Sequence, residues 1–264
     1  MKRLGFLVLS VCLAFGVSAS PISSPHSNAL WRVVHGLCMT DMMLSGAPAP
    51  CLEVNRRGGY AVLRDPQAAT EVLVVPTTKI IGIEGPELQV PGGPNYWQAA
   101  WDARRYLEER AGRAAPREDV GMAVNSVFGR SQDQLHIHID CVSAKVRTAL
   151  AAHAEEIGEV WAPLDFDLAG RMYRARRVNG DALGARDPFK LLATGDSEAG
   201  DDMGRQTLAV VGVRSADGRP GFVLLAATGG TPENPDGSSE SLLDHSCAVL
   251  DEPSGALTDL RSRD

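Results

Sequence analysis

The sequence predicts an α+β fold with a mainly antiparallel sheet and flanking helices. Two pairs of β-prone runs are each split by a turn, at Asp65-Pro66 and at Asp217-Gly218, which is the pattern of a hairpin. Two stretches between the pairs have apolar residues at helical spacing. The chain has 264 residues, of which 44% are hydrophobic and 22% charged, and it shows no internal repeat, so we expect one globular domain.

The first half of the chain is expected to hold a short helix, a hairpin and a longer helix. Residues 30–38 predict the short helix, and residues 59–64 and 71–75 predict the strands of the hairpin. A loop rich in Gly and Pro covers residues 85–94. Asn95 then caps a helix that is expected to run from Tyr96 to about Arg113.

The middle of the chain carries the most informative pattern, a strand with alternating histidines that follows a strand at 120–124. The first parity of this run contains four polar residues, which are Gln134, His136, His138 and Asp140. The second parity contains Leu135, Ile137, Ile139 and Cys141. Alternation at period two predicts a half-buried strand, and it places both imidazoles on one face.

The remaining elements also follow from local pattern. Ser143 is expected to cap a helix that runs to about Ile157. A strand over 172–178 and a short helix over 188–193 come next, and residues 208–213 and 221–227 predict the last hairpin. Residues 252–264 are expected to form a loose tail.

The N-terminus has the features of a targeting segment. Lys2 and Arg3 precede residues 4–17, which are apolar apart from Gly and Ser, and Val17-Ser18-Ala19 offers small residues at a cleavage position. We therefore expect residues 1–22 to be a signal peptide or a membrane anchor, and residues 23–264 to form the domain. Cleavage would take the formal net charge from -7 to -9.

The cysteine count agrees with export. Four cysteines lie beyond the targeting segment, and an even set in an exported chain indicates two disulfides with three connectivities. Cys38 and Cys51 bracket a short loop and can pair locally, which leaves Cys141 to Cys247. In the chain-entropy model the longer bridge contributes about 4–5 kcal/mol. Four free thiols are the alternative.

The charge balance excludes one class of partner. The chain is acidic and has no basic cluster, whereas phosphate neutralisation supplies most of the affinity of nucleic-acid binding. We therefore expect no nucleic-acid partner.

The order of these elements and motifs resembles the histidine triad (HIT-like) superfamily and, within it, the CDP-diacylglycerol pyrophosphatase family. The resemblance covers nearly the whole chain. The motifs that carry it are Cys38/Cys51, Gly59-Tyr60-Ala-Val-Leu, Pro76-Thr77, Trp101-Asp-Ala-Arg104, Asn125-Ser126, Gly129-Arg130-Ser131-Gln132, His136-Ile-His138 and His245-Ser-Cys247.

The resemblance implies a HIT-like fold and a covalent mechanism. His136 aligns with the nucleophile, His138 with the third member of the triad and Gln134 with the first, where the superfamily has a histidine. His136 would attack the α-phosphorus of CDP-diacylglycerol, displace phosphatidate and form a cytidylyl-histidine that water releases as CMP. The substrate-binding residues implied are Asn125, Gly129, Ser131, Gln132 and Lys79.

The resemblance also implies a setting for the reaction. A lipid substrate implies work at a membrane surface, on the periplasmic side of a bacterial inner membrane or in the periplasm, and a homodimer is compatible with the superfamily. No metal and no cofactor is implied, because histidine supplies both the nucleophile and the proton transfer.

Three alternatives stay open at this point. A shifted frame, His136-x-His138-x-Asp140, would make His138 the nucleophile. The same residues resemble the start of a metal motif, so the chain could be a metal-dependent hydrolase. Because a Gln134 amide cannot carry a proton, the chain could also be a catalytically silent nucleotide-binding protein.

Overall fold

A single antiparallel sheet organises the chain, as the sequence predicts. The computed structural model describes residues 27–231 and 236–252. The strand order is β1-β2-β3-β5-β4-β8-β9-β7-β6, and β10 pairs with the end of β5. The strands are β1 (Glu53–Asn55), β2 (Tyr60–Arg64), β3 (Val72–Pro76), β4 (Val120–Val124), β5 (Ile137–Val142), β6 (Ala162–Leu168), β7 (Arg171–Asn179), β8 (Gln206–Arg214), β9 (Pro220–Thr228) and β10 (Leu243–Asp244).

The helices are few and flank the sheet. Helix α1 continues through a π-helical segment (Arg32–Cys38) into α2, so the first helical region is longer than expected. No helix within residues 27–231 and 236–252 is long and apolar enough to cross a membrane. The helices are α1 (Ala29–Trp31), α2 (Met39–Leu44), α3 (Pro86–Gln89), α4 (Tyr96–Ala111), α5 (Ala144–Ala152), α6 (Pro188–Gly195) and α7 (Ser197–Asp201).

Most predicted boundaries agree with the structure. Both hairpins form, β2 with β3 and β8 with β9, each antiparallel. The Asn95 side chain caps α4 by accepting from the backbone N–H of Trp97 at 3.1 Å, and Gly112 ends the helix in the left-handed region at φ 71°. Helix α5 begins at its Ser143 cap but ends at Ala152, five residues earlier than predicted.

The two faces of the sheet are covered differently. Helix α4 and its neighbours bury the face that carries Ile137, Ile139 and Met122 in one large apolar core. The opposite face has two separate apolar clusters, one against the first helical region and one against α5. The polar side chains of β5 lie on this opposite face, between the two clusters. The fold therefore leaves a polar strip in the middle of the sheet.

Two disulfides are present, and both are the predicted pairs. Cys38 bonds to Cys51, 13 residues apart, and Cys141 bonds to Cys247, 106 residues apart. The second bridge fastens the C-terminal segment to β5 next to the β10–β5 pairing. The predicted targeting segment at residues 1–22 and nearly all of the predicted tail lie outside the described residues.

Candidate active site

Strand β5 contains His138, and His136 directly precedes the strand, so the two histidines lie on one face as the alternation predicts. The strand is fully buried and not half-buried. His138 pairs with Leu73 of β3 on one side and with Ala123 of β4 on the other. Gly121 of β4 lies opposite Asp140. A Cβ at Gly121 would lie 2.6 Å from Cδ2 of Leu243, so the C-terminal segment packs directly against β4 at this glycine.

His136 is held as a neutral imidazole with one free nitrogen. Its Nδ1 lies 2.7 Å from the backbone carbonyl oxygen of Gln134. A carbonyl can only accept, so Nδ1 carries the proton and Nε2 keeps its lone pair. Burial, reinforced by the neighbouring charge of His138, lowers the pKa of His136 to about 4. This residue has the properties of a nucleophile at neutral pH.

His138 has the opposite electrostatic environment. Its Nδ1 lies 2.6 Å from Oε1 of Glu71, and its Nε2 lies 3.3 Å from Oε1 of Glu240 without the alignment of a hydrogen bond. Burial alone would lower the pKa of His138, but the hydrogen bond to Glu71 and the charges of both glutamates raise it above its ordinary value. The two ring centroids are 4.8 Å apart, so an imidazole with a lowered pKa lies beside one with a raised pKa.

A cleft of about 760 Å³ opens over this pair of histidines. One wall is apolar and comes from the first helical region and β2, with Leu30, Val33 and Leu63. The turn that follows β2 contributes Asp65, and the far end is formed by the loop 125–132. The volume and the mixed lining fit a small-molecule substrate with an apolar and a charged part.

Four of the five predicted substrate-binding residues line this cleft. They are Asn125, Gly129, Ser131 and Gln132. The fifth, Lys79, lies outside the lining and donates to Oδ1 of Asn28 at 2.6 Å, next to the start of α1. Gln132 accepts from the backbone N–H of Leu30 at 3.1 Å, so it also fastens the first helix to the loop.

Gln134 lies next to the histidines but is directed away from the cleft. Its side-chain amide donates to the carbonyl oxygens of Pro76 and Thr78, both at 3.0 Å. Its backbone carbonyl is the group that accepts from His136. The geometry therefore assigns Gln134 a positioning task that needs an amide donor and no proton transfer.

Gly129 supports the loop 125–132 by close packing. A Cβ at this position would lie 2.3 Å from the backbone carbon of Gly237, well inside van der Waals contact. We expect Gly129→Ala to push the C-terminal segment off the loop and to lower the free energy of unfolding by about 1–3 kcal/mol. Chemical denaturation measures this effect, with Gly158→Ala, where a Cβ meets nothing within 4 Å, as the matched control. Equal stability of the two variants would contradict this packing role.

The structure adds acidic residues and a histidine that the sequence did not single out as catalytic candidates. Glu71 precedes β3, and Glu240 and His245 come from the C-terminal segment. Asn125 donates to Glu240, and the backbone N–H of Ser239 donates to Asn125 at 3.1 Å. Glu71 directly precedes the apolar run 72–75, and this position could have identified it as a candidate from the sequence. Nothing in the sequence pattern indicates Glu240.

The metal motif of the alternative interpretation does not converge in space. Among the described residues, three groups have donor atoms within 4.8 Å of one another: Glu71 with His138 and Glu240, Glu71 with Asp140 and His245, and Asp140 with Cys141 and Cys247. His136 belongs to none of these groups. The first two are already paired internally, Glu71 with His138 at 2.6 Å and Asp140 with His245 at 2.9 Å, and the cysteines of the third form a disulfide.

Comparison with known proteins gives a consistent result. The family model described as CDP-diacylglycerol pyrophosphatase matches residues 25–251. The CDP-diacylglycerol pyrophosphatase of Yersinia pestis is 38% identical over 244 residues, which cover 92% of this chain and 93% of that protein.

Proposed function

Because the chain belongs to the CDP-diacylglycerol pyrophosphatase family, we propose that it hydrolyses the diphosphate bond of CDP-diacylglycerol to CMP and phosphatidate through a nucleotidyl-His136 intermediate. The observation that carries the mechanism is the pairing, in the lining of one cleft, of His136, whose pKa is lowered, with His138, whose two ring nitrogens face the carboxylates of Glu71 and Glu240 and whose pKa is raised.

The first step follows from this pairing. Nε2 of His136 attacks the α-phosphorus, and the bond from that phosphorus to the bridging oxygen breaks. The electron pair leaves with phosphatidate, whose bridging oxygen takes the proton from Nε2 of His138. The carbonyl of Gln134 stabilises the positive charge that develops on the His136 ring, because it accepts from Nδ1.

The second step reverses the proton transfer. Water attacks the same phosphorus, His138 takes its proton, and the phosphorus–nitrogen bond breaks to release CMP. The Asn125 amide, the Ser131 hydroxyl and the loop 125–132 line the cleft where the phosphate charge develops.

A trapping experiment tests this mechanism. The protein is mixed briefly with CDP-diacylglycerol, quenched and digested, and the peptides are analysed by mass spectrometry. We expect a cytidylyl adduct on His136 and CMP release that resists EDTA. An adduct on His138 would support the shifted frame. EDTA-sensitive release without any adduct would replace the proposal with metal-assisted hydrolysis. Tight binding of the lipid nucleotide without release would indicate a silent binding protein.

The apolar wall and Asp65 support a position for the nucleoside. A cytosine ring fits against Leu30, Val33 and Leu63, and the Asp65 carboxylate at the edge of this wall can accept from the ribose hydroxyls. We expect Asp65→Ala to raise KM about tenfold, since a hydrogen bond to a charged group is lost. Inhibition constants of CMP and 2′,3′-dideoxy-CMP test whether the lost contact is to the ribose hydroxyls. The wild-type protein should bind CMP more tightly than the dideoxy analogue, and the variant should bind both alike. A variant that keeps the preference would contradict this position.

The lipid part of the substrate implies that the protein works at a membrane surface. The segment 42–52 contains no charged residue, and it exposes Met43 by 61% and Leu44 by 83%. Pro50 of the same segment lines the cleft. We propose that this segment meets the bilayer and that the protein acts on the periplasmic side of a bacterial inner membrane.

The membrane proposal predicts a difference between two forms of substrate. Meeting the bilayer buries apolar area, and Met43→Ser/Leu44→Ser removes that area. We expect this double variant to lower kcat/KM about tenfold on vesicle-borne CDP-diacylglycerol and to leave a soluble short-chain analogue unaffected. Val160→Ser, at an apolar side chain that is 74% exposed elsewhere, is the control. Equal activity of variant and wild type on vesicles would contradict the proposal.

The expected homodimer is a separate prediction, and analytical ultracentrifugation would measure the oligomeric state.

A further inference from the structure

Behind His138, the buried carboxylates of Glu71 and Asp140 lead to a further histidine, His245. Oδ2 of Asp140 lies 2.9 Å from Nδ1 of His245, and Oε2 of Glu71 lies 3.7 Å from the same nitrogen. Glu71 contacts His138 through its other oxygen, Oε1. His245 therefore lies between two carboxylates, one of which holds His138.

Burying the carboxylates of Asp140 and Glu71 side by side costs free energy unless a positive charge lies between them. Asp140 is 0% exposed and Glu71 is also buried. Oδ1 of Asp140 accepts from the Thr70 hydroxyl at 2.7 Å and from the backbone N–H of Cys141 at 2.8 Å, which leaves Oδ2 for His245. Burial raises the pKa of Asp140 to about 6. Two like charges in one buried site also repel each other, so the pair is stable only where a positive charge compensates it.

The position of His245 is fixed by the fold and does not depend on the histidine itself. Strand β10 pairs Leu243 with Val142 and Asp244 with Cys141, and the disulfide holds Cys247 two residues after His245. The backbone of this segment is thus secured on both sides. The His245 side chain is 43% exposed, which makes it the member of the network that reaches solvent.

We propose that His245 is a positioning residue of the site, whose imidazolium lies between the Asp140 and Glu71 carboxylates and keeps Glu71 oriented against His138. This inference rests on the proposed function for its kinetic consequence, but its structural content is independent of that function. Without the His245 cation, the two buried carboxylates would repel each other, and the contact of Glu71 with Nδ1 of His138 would weaken. The protonated form of His138 would then be lost at a lower pH.

The charged groups around His245 are consistent with this role. Asp140 and Glu71 face it from the sheet, Glu240 faces it from the neighbouring turn, and Asp244 precedes it in the chain. Burial alone would lower the pKa of His245, but the hydrogen bond to Asp140 and the charge of Glu71 raise it. The protonated form of His245 is therefore more stable than that of an ordinary histidine.

The test compares His245→Gln with the wild-type full chain. A glutamine keeps polarity and approximate size but cannot carry charge. We expect the alkaline limb of the kcat–pH profile to move down by about one unit, so that kcat falls about tenfold on that limb and less than about twofold near pH 6. KM should be unchanged. His245→Lys, which returns a positive charge, should recover part of the loss, and the exposed His35→Gln is the control.

A second readout separates this proposal from the proposed function. Imidazole NMR titration of His138 needs no turnover, and its pKa should fall by the same unit in His245→Gln. Free-thiol titration and thermal melting verify that the disulfide and fold are intact. An equal loss of kcat at every pH, or an unchanged His138 pKa, would overturn the positioning role. A shifted His138 pKa in a protein that does not hydrolyse CDP-diacylglycerol would support the network and reject the proposed function.

Discussion

Replacing His136 by glycine is expected to lower kcat for CDP-diacylglycerol hydrolysis at least about a thousand-fold, because the variant has lost the proposed nucleophile. The substitution opens a space between the Gln134 carbonyl and the cleft, and free imidazole of the right size can enter it. Added imidazole should therefore restore part of the CMP release. Steady-state rates over a series of imidazole concentrations measure both effects.

The control for this variant is His153→Gly. His153 pairs with Glu156 at 2.7 Å on the surface beyond α5, away from the cleft. We expect it to keep wild-type activity and to show no response to imidazole. A His136→Gly protein with a normal rate would remove the nucleophile from the proposal. A low rate that imidazole does not restore would leave His136 with a structural role only.

Glu71→Gln is expected to narrow the pH range of activity from its alkaline side. The proposed mechanism requires neutral His136 and protonated His138, so activity should rise through a pKa of about 4 and be lost as the pH passes the raised pKa of His138. Without the Glu71 charge, burial dominates and the pKa of His138 falls, which moves the alkaline limb to lower pH.

The pH profile of kcat between about pH 3.5 and 9 measures both limbs. On the alkaline limb we expect a fall in kcat of about tenfold or more for each unit by which the His138 pKa decreases. The exposed Glu109→Gln on α4 serves as the matched control for the loss of one carboxylate. Limbs that stay in place while kcat decreases uniformly would show that Glu71 does not set the protonation of His138.

The histidine strand, the Asn95 cap and the two hairpins were predictable because each depends on residues that are neighbours in the sequence. Period-two alternation alone placed His136, His138 and Asp140 on one face, and the register against Leu73 and Ala123 agrees with it. The cap at Asn95 and both hairpins also follow from neighbouring residues. Strand β6 was missed although Leu164, Phe166 and Leu168 alternate with Asp165 and Asp167. No element was predicted between residues 157 and 172.

The surroundings of the histidines were not predictable in the same way. Glu71 lies 67 residues from His138, and His245 lies 105 residues from Asp140, so no short-range pattern connects them. Their approach depends on the strand order, which places β3 beside β5, and on the pairing of β10 with the end of β5. The alternation predicted a half-buried strand. The segments that cover its polar face are remote in sequence, so no local pattern indicated that this face is also buried.

The attachment of the C-terminal segment, which carries Glu240 and His245, to the central strand affects the order in which the protein folds. Contacts between groups more than 100 residues apart form slowly, because loop closure opposes them until the intervening chain is ordered. We therefore expect Glu240 and His245 to dock late in folding, after the sheet exists. Chains that have not reached that stage would carry His136 and His138 without Glu240 and His245 beside them. Hydrolysis would then begin only when folding is complete.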